Sequence, residues 1–196
     1  RSPELDSHSR VEWDATAWRD VRFRRRLLWL EEVLIDLSTV ENPHRQQLDW
    51  TLHLAAQALD QSGTPQPFSL SGPLRHMANA TMAPLNGCQP RHFARDGDTV
   101  ALWLSGDGEL WQGVAPDNPA THDLSYLVIR SHLPQARFVC LWDFANSAPL
   151  TEVQVNHTPV GTQITFWRGE RVTHVTLYDA PGKRPDAIFP FAESGT

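Results

Sequence analysis

The strongest constraint on the fold is the segment Leu48–Leu54, LDWTLHL, in which apolar and polar residues alternate strictly. Successive side chains of a β-strand point to opposite faces, whereas a helix repeats after between three and four residues. The alternation therefore predicts a half-buried strand. It places Asp49 and His53 together on the face opposite Trp50.

Another strand is predicted just upstream, at residues 32–37, where a short apolar run has one acidic break. The loop predicted at 38–47 contains Asn42-Pro43, which favours a turn because the residue before a proline avoids the helical region. Residues 27–54 are thus predicted to form strand, tight turn, strand, polar loop and strand.

A hairpin is predicted further along the chain. Residues 99–104 and 109–114 flank Ser105-Gly106-Asp107-Gly108. Glycines tolerate the positive φ that tight turns need. The two arms of this hairpin would carry Trp103 and Trp111.

The rest of the chain has the same character. Short runs rich in Val, Ile, Thr and aromatic residues are separated by turn residues, at 124–131, 136–144, 150–155, 162–167 and 172–178. Amphipathic helical patterns do not interrupt them. The prediction is an all-β chain with antiparallel strands, a β-sandwich in preference to a barrel.

Length and composition indicate one domain. With 196 residues, of which 40% are hydrophobic, the chain can bury one substantial core. We expect the antiparallel β-sandwich to span residues 17–180. Residues 1–16 are predicted to be an N-terminal accessory segment and 181–196 a C-terminal tail. Residues 74–90 show no clear period and are left without a predicted element.

Charge and hydropathy exclude some partners. A net charge of −6 argues against nucleic-acid binding, which needs many cations opposite the phosphates. No apolar run reaches the length of a membrane span, and no signal-peptide pattern opens the sequence, so no membrane partner is expected. Because the sequence starts at Arg1, we expect a processed chain or a piece of a longer protein.

All basic residues but one are arginines, which reflects either genome composition or the suitability of the guanidinium fork for carboxylate and sulfate. In an extended chain, Arg22, Arg24 and Arg26 share one face, and Phe23 and Arg25 share the other. This ladder either faces an anionic polysaccharide or is a solvated surface paired with acidic residues of the following turn.

Metal and thiol motifs are missing from the sequence. The nine histidines include no His-x-His, His-x-x-x-His or His-Glu-x-x-His arrangement. Cys88 and Cys140 form no Cys-x-x-Cys pair, which argues against a zinc or redox motif. The two cysteines either form one disulfide or remain buried thiols.

Tryptophans bear on carbohydrate binding because sugar rings stack on indole faces. Trp29 and Trp50 lie in apolar registers and are predicted core residues. Trp13, Trp18 and Trp167 have polar or charged neighbours and are predicted to be the more exposed ones.

Several of these segments, taken in order, resemble a known family. Residues 24–30 followed by VLIDL, NPH and LDWTLHL are similar to the C-terminal β-domain of heparinase II/III-like polysaccharide lyases, in which a similar series ends in a Trp-x-x-His strand. The similarity is clearest over residues 17–54. Within 115–144, APDNPA, LSYLVIR and ARFVCLWDF look like later strands of the same domain.

The resemblance implies that this chain is the C-terminal sandwich of a toroid-plus-sandwich lyase. It implies β-elimination at uronates of a polysaccharide or oligosaccharide such as a glycosaminoglycan or alginate, with an N-terminal helical toroid as partner domain or chain. It also implies a periplasmic or secreted location and a metal, often zinc. Of the residues that precede the strands, only His8, Asp6, Asp14 and Asp20 have suitable side chains, and they match no family motif. No metal ligand is therefore assigned.

The resemblance gives the catalytic base and acid to Tyr and His, mostly on the toroid. Tyr126 and Tyr178 lie in predicted strands and match no catalytic motif, so no catalytic residue is assigned and the chain alone is expected to be inactive. Candidates for substrate binding are His44, His53, Trp50 and Arg24. His53 can have its charge set by its neighbour Asp49; the alternatives are a hydrogen-bonded structural histidine at 53 and a solvated loop residue at 44.

Two further functions stay open. A freestanding carbohydrate-binding β-sandwich predicts a planar row of exposed tryptophans and glycan binding without a helical partner. A structural interaction domain predicts a large uncovered apolar face. A long helical region upstream in the parent reading frame would favour the lyase over both.

Overall fold

The chain folds almost entirely into antiparallel β-strands, which confirms the predicted fold class. The computed structural model describes residues 10–16, 20–61, 63–66, 72–117, 122–145, 147–179 and 187–192. The strands are β1 (Arg10–Thr16), β2 (Arg22–Leu30), β3 (Val33–Glu41), β4 (Leu48–Leu54), β5 (Gln57–Ala58), β6 (Thr64–Pro65), β7 (Ala78–Pro84), β8 (Gln89–Arg95), β9 (Asp98–Gly106), β10 (Glu109–Pro116), β11 (Asp123–Ser131), β12 (Gln135–Asp143), β13 (Glu152–Thr158), β14 (Gly161–Arg168), β15 (Arg171–Tyr178) and β16 (Ala187–Ala192). A short 3-10 helix, Gly72–His76, precedes β7.

The strands form three sheets. The central sheet has the order β1-β2-β3-β12-β9-β8-β5, the front sheet β4-β11-β10-β7-β6 and the back sheet β13-β14-β15-β16. One cluster of buried apolar side chains joins the central sheet to the front sheet, and another joins it to the back sheet. The fold is therefore a β-sandwich with a further sheet packed on its central layer.

Strand β12 shows why a continuous apolar run appears in the sequence here. Phe138 and Cys140 belong to the front cluster, whereas Val139 and Leu141 belong to the back cluster. All four side chains are at most 2% exposed. A strand that is buried on both faces needs apolar residues at every position, so it shows no alternation.

The hairpin predicted around Ser105-Gly106-Asp107-Gly108 is wrong, although both strands exist. β9 pairs with β8 and β12 in the central sheet, whereas β10 pairs with β7 and β11 in the front sheet. The chain crosses between sheets at this turn, so Trp103 and Trp111 lie in different sheets. Neither glycine has a positive φ. A Cβ at Gly108 would instead overlap the carbonyl oxygen of Arg130, and close backbone approach is what requires glycine here.

The loop predicted at 38–47 is shorter than expected because β3 continues to Glu41. The turn that follows is organised by Asn42, which is fully buried. Its Nδ2 donates to the carbonyl oxygens of Gln46 at 2.7 Å and Leu133 at 3.2 Å, and its Oδ1 accepts from the Gln46 N–H at 3.0 Å. β4 then spans Leu48–Leu54 as predicted.

Further strands lie in the segment 74–90 and in the two terminal segments. β7 lies within residues 74–90, and β8 begins there. β8 joins β9 through Asp96 and Gly97, whose φ angles of 53° and 93° fit a tight hairpin turn. β1 and β16 lie within the terminal segments 1–16 and 181–196, and each adds an edge strand to a sheet.

The tryptophans differ partly from expectation. Trp50 is a core residue as predicted, at 9% exposure, whereas the prediction for Trp29 is wrong because its side chain is 41% exposed. Trp29 lies near the end of β2, outside the cluster that the front sheet covers. Trp167 is half-buried. The Trp18 residue and the Trp13 side chain lie outside the described part of the chain.

The two cysteines are free thiols. Cys140 of β12 is opposite Leu104 of β9. Leu104 is also opposite Gln89 of β8, and Gln89 directly follows Cys88. With β9 between them, the cysteines lie about 10 Å apart, too far for a disulfide. Burial raises the pKa of Cys88 to about 12 and is the main cause that raises the pKa of Cys140 well above its ordinary value.

Candidate functional site

The arginine ladder of β2 divides between the two faces of the strand, as the sequence predicted. Arg24 and Arg26 reach the end of the back sheet, where Arg24 Nη1 donates to the carbonyl oxygen of Asp179 and Arg26 Nη1 donates to that of Tyr178 at 2.7 Å. Phe23 packs against the front cluster on the other face. Alternation along one strand thus gathers arginines beside the back sheet.

Arg25, on the same face as Phe23, has a structural partner. Its Nε and Nη2 donate to Asp36 Oδ1 at 2.9 Å and Oδ2 at 2.6 Å. The Asp36 side chain is 2% exposed. This hydrogen-bonded pairing is the main cause that raises the pKa of Arg25, against the opposing effect of burial. Arg25 therefore neutralises a buried carboxylate.

The face that carries Arg24 opens into a pocket with a volume of about 550 Å³. Small-molecule sites commonly have volumes in this range. The pocket lies where β2, β3 and β12 meet the turn between β13 and β14 and the residue that follows β15. Its charged lining residues are Arg22, Arg24, Arg137, Glu41 and Asp179.

Asp179 anchors two of these arginines. Arg137 Nη2 donates to Asp179 Oδ2 at 2.5 Å and to the carbonyl oxygen of Thr158 at 3.1 Å. Arg24 binds the Asp179 backbone. Guanidinium groups fixed in this way lose little conformational freedom when a further anion binds, which favours recognition.

A third arginine lies beneath the pocket. The Arg26 side chain is only 3% exposed, and its Nη2 lies 3.7 Å from Asp179 Oδ1. The electrostatic potential of a buried charge extends further than that of a charge in water, because solvent screens it poorly. Arg26 thus contributes positive potential to the pocket without being open to direct contact.

Arg22 lies at the mouth of the pocket. Its side chain is 74% exposed, and its Nη1 lies 3.9 Å from Oε2 of Glu41, which is itself 64% exposed. Such an exposed pair contributes little stability, so Arg22 can exchange Glu41 for another anion at small cost. Three arginines, Arg22, Arg24 and Arg137, therefore line the pocket over the buried Arg26. Guanidinium groups recognise carboxylate and sulfate, so an anionic ligand fits this lining.

His157 lies near the same charges. Its pKa is lowered mainly by burial, with Asp107 and Asp179 opposing the shift and Arg137 adding to it. Its Nδ1 lies 3.2 Å from the Thr162 hydroxyl oxygen, and its Nε2 is buried without a hydrogen-bond partner among the described residues. The ring is consequently neutral at neutral pH and adds no charge to the pocket.

Of the predicted binding residues, only Arg24 lines this pocket. Trp50 is buried in the front cluster and lines a different, smaller cavity of about 350 Å³. His53 is exposed on β4 of the front sheet, and His44 is exposed in the turn before that strand. The structure therefore does not bring the four candidates together in one site.

His53 contacts an aromatic residue. It is opposite Tyr126 on β11, and the two rings meet edge to face with their centroids 4.1 Å apart. Burial and, to a smaller extent, Asp49 raise the pKa of Tyr126. Asp49 engages Arg130 through two hydrogen bonds of 2.8 and 2.9 Å, so the predicted partnership of Asp49 with His53 is replaced by cross-strand pairing.

The described residues do not assemble a metal centre. Within the ranges that the structure covers, no three His, Cys, Asp or Glu side chains lie close enough to hold a metal ion. Asp6 and His8 fall outside those ranges, as does the side chain of Asp14. The zinc implied by the resemblance has no assigned ligands, and no chemistry is derived through it. In the same ranges, no helix is long and apolar enough to cross a membrane.

Sequence reasoning missed Arg137 and Asp179. Arg137 lies between the apolar residues Ala136 and Phe138 of β12, and Asp179 directly follows the last residue of β15. An arginine within an apolar run is a signal that the sequence offers, whereas Asp179 carries none. Only the strand order shows that they converge on Arg24.

Comparison with known proteins does not assign the chain to a family. Neither a protein-family model nor a curated protein matches it. The heparinase II/III-like resemblance therefore stays a prediction, as do the partners and location that it implies.

Proposed function

We propose that this chain is the C-terminal β-sandwich part of a polysaccharide lyase that cleaves uronate-containing glycans by β-elimination. In this proposal the pocket binds a carboxylate or sulfate group of the acidic polysaccharide or oligosaccharide. The observation that carries the proposal is the gathering of Arg22, Arg24 and Arg137 around one pocket over the buried Arg26. An all-β sandwich agrees with the expected domain type but does not by itself indicate a function.

The chemistry of β-elimination explains why arginines would matter. Removal of the proton beside a uronate carboxylate becomes easier when that carboxylate is neutralised, and a base and an acid must then move the proton and protonate the leaving oxygen. A guanidinium fork neutralises and orients a carboxylate in one step. The described residues supply such groups for binding, whereas we place the base and the acid on the helical toroid.

Within the pocket the arginines would have different roles. Arg24 and Arg137 are fixed by Asp179 and would orient the bound anion. Arg22 is exposed and only weakly paired with Glu41, so it would exchange that partner for the ligand. The chain would thus support the toroid and line one wall of its cleft, and it would be inactive alone.

Binding by the purified chain tests the pocket. Titration calorimetry with hexasaccharides of alginate, heparan sulfate, chondroitin sulfate and hyaluronan should detect an affinity that falls as salt is added. Arg22→Ala should weaken it by roughly tenfold or more, as expected for loss of a charged hydrogen bond. Arg95→Ala is the matched control, because Arg95 is 65% exposed and is also paired with a carboxylate, Asp96.

The lyase part of the proposal needs a separate assay. Ultraviolet absorbance of unsaturated uronate should appear only when the chain is combined with its helical partner domain. Binding without such activity in the combined protein would contradict lyase function and leave the glycan-binding alternative. Absence of any Arg22-dependent binding would contradict the role of the pocket.

A further inference from the structure

A stack of three aromatic side chains, Trp29, Phe144 and Trp142, lies on the side of the central sheet that faces the front sheet. Trp29 and Phe144 are stacked with centroids 5.4 Å apart and planes 25° apart. Phe144 and Trp142 are 6.3 Å apart with planes only 7° apart. Three nearly parallel rings therefore follow one another, with Phe144 between the indoles.

Strand register explains the arrangement. Trp29 of β2 is opposite Leu34 of β3, which is opposite Trp142 of β12. The two indoles are thus two strands apart, about 10 Å, on the same face of the sheet. Phe144 directly follows β12 and is fixed by a hydrogen bond of 3.0 Å from its N–H to the carbonyl oxygen of Glu32.

The stack is open to solvent, since Trp29 is 41% exposed and Phe144 is 43% exposed. Other large apolar residues with comparable exposure in the described chain, namely Leu59, Leu133 and Val160, are aliphatic and lie in other parts of the fold. Trp29 and Phe144 thus present two aromatic rings in direct contact as one apolar surface to solvent.

We propose that this stack is a binding site for a neutral sugar residue, which lies against the exposed face of Trp29 beside Phe144. This site is separate from the arginine pocket and does not rest on the proposed lyase function. Trp29 is five residues from Arg24 on β2, roughly 17 Å along the strand, and points to the opposite face.

The size of the patch favours a sugar over a protein partner. An aromatic side chain buries about 150–250 Å² when it is covered completely. With roughly two fifths of each of two rings exposed, the patch offers only about 120–200 Å², against about 800 Å² per partner in a stable protein interface. One sugar ring needs no more than an aromatic face and a few hydrogen-bonding groups.

The charges beside Phe144 favour a neutral sugar. Glu32, whose carbonyl oxygen accepts from the Phe144 N–H, has a side chain that is 63% exposed, and its Oε2 lies 3.4 Å from Nη1 of Arg168. Arg168 also pairs with Asp143, which directly precedes Phe144, at 3.0 Å, so two carboxylates share one guanidinium. An exposed carboxylate can accept hydrogen bonds from hydroxyl groups, whereas it repels an acidic sugar. An acidic sugar gains no such advantage here, in contrast to the pocket beside Arg24.

The test is calorimetry on the whole chain with cellohexaose, mannohexaose and a β-1,4-galactohexaose, and with the three corresponding monosaccharides. We expect saturable binding of at least one hexasaccharide. Trp29→Ala should weaken it roughly tenfold, the upper range for one aromatic contact, and Trp29→Phe should weaken it less. Val160→Ala shortens an exposed apolar side chain elsewhere and should have no effect.

Circular dichroism should confirm that the variants stay folded, and Phe144→Leu provides a second variant that keeps the apolar volume. Monosaccharide binding would show recognition of a single residue, whereas binding of hexasaccharides alone would show recognition of a chain; both support the site. Absence of binding by every neutral sugar would overturn the proposal. Binding that is unchanged in both Trp29→Ala and Phe144→Leu would do so as well.

Discussion

Asp143 fixes the end of β12 to the segment that leads into the back sheet, and its removal should be severe. The side chain is 1% exposed. Its carboxylate accepts hydrogen bonds from the N–H groups of Leu150 at 2.6 Å and Ala145 at 3.2 Å, and from Arg168 Nη2 at 3.0 Å. One side chain therefore satisfies two backbone donors and pairs with a charge from β14.

The magnitude follows from what Asp143→Ala leaves behind. A buried donor without a partner costs about 1–3 kcal/mol, and breaking a buried ion pair costs about 3–5 kcal/mol in total. We expect Asp143→Ala to lower the free energy of unfolding by about 3–5 kcal/mol. Asp143→Asn keeps one oxygen that can accept from Leu150 and should cost about half as much.

Urea denaturation followed by circular dichroism measures both variants, provided that each unfolds in one transition. A loss below about 1 kcal/mol for Asp143→Ala would refute the reasoning, because water or a shifted backbone would then be satisfying the same donors. Equal losses for the alanine and asparagine variants would show that the charge, and not the acceptor geometry, carries the effect.

Three further predictions concern other parts of the fold. Burial lowers the pKa of His157 in the folded chain. The stability that its neutral ring contributes is therefore fully present above the ordinary histidine pKa of about 6.5 and is lost as the pH falls through the lowered pKa. His157→Gln should reduce this loss of unfolding free energy at acidic pH, as measured by urea denaturation at a series of pH values. Gly108→Ala should destabilise the fold by more than about 2 kcal/mol, because its Cβ would overlap the backbone of Arg130. Gly169→Ala should cost only about 1 kcal/mol, because the residue has a φ of 59° but open space around it. Equal losses of stability in thermal unfolding would contradict this comparison. Burial raises the pKa of the partly buried Cys88 to about 12, so it should react slowly with thiol reagents at pH 7; labelling of the native protein at the rate of an exposed, ordinary thiol would contradict this.

Local patterns predicted the strands well because alternation is a property of adjacent residues. The segment Leu48–Leu54 became β4 with the predicted bounds, and Asp49 and His53 share its outer side. The division of Arg24 and Arg25 between faces followed from the same rule. Neither result needed knowledge of the neighbouring strands.

Contacts between distant strands were not predictable in this way. Ser105-Gly106-Asp107-Gly108 has the composition of a hairpin turn, yet it connects two sheets. β9 and β10 do not pair with each other, because each pairs with other strands of its own sheet. The candidate site has the same origin: Arg26 and Tyr178 are 152 residues apart and meet only through the packing of the back sheet. Exposure of Trp29 likewise depends on where the front sheet stops covering β2.

The central claim is that the pocket beside Arg24 binds the anionic group of an acidic glycan. The most direct measurement is nuclear magnetic resonance of the arginine side-chain N–H groups while a uronate hexasaccharide is added. The account predicts saturable shifts at Arg22, Arg24 and Arg137, with the exposed Arg95 unchanged. Shifts of equal size at all exposed arginines, or none at these three, would contradict it.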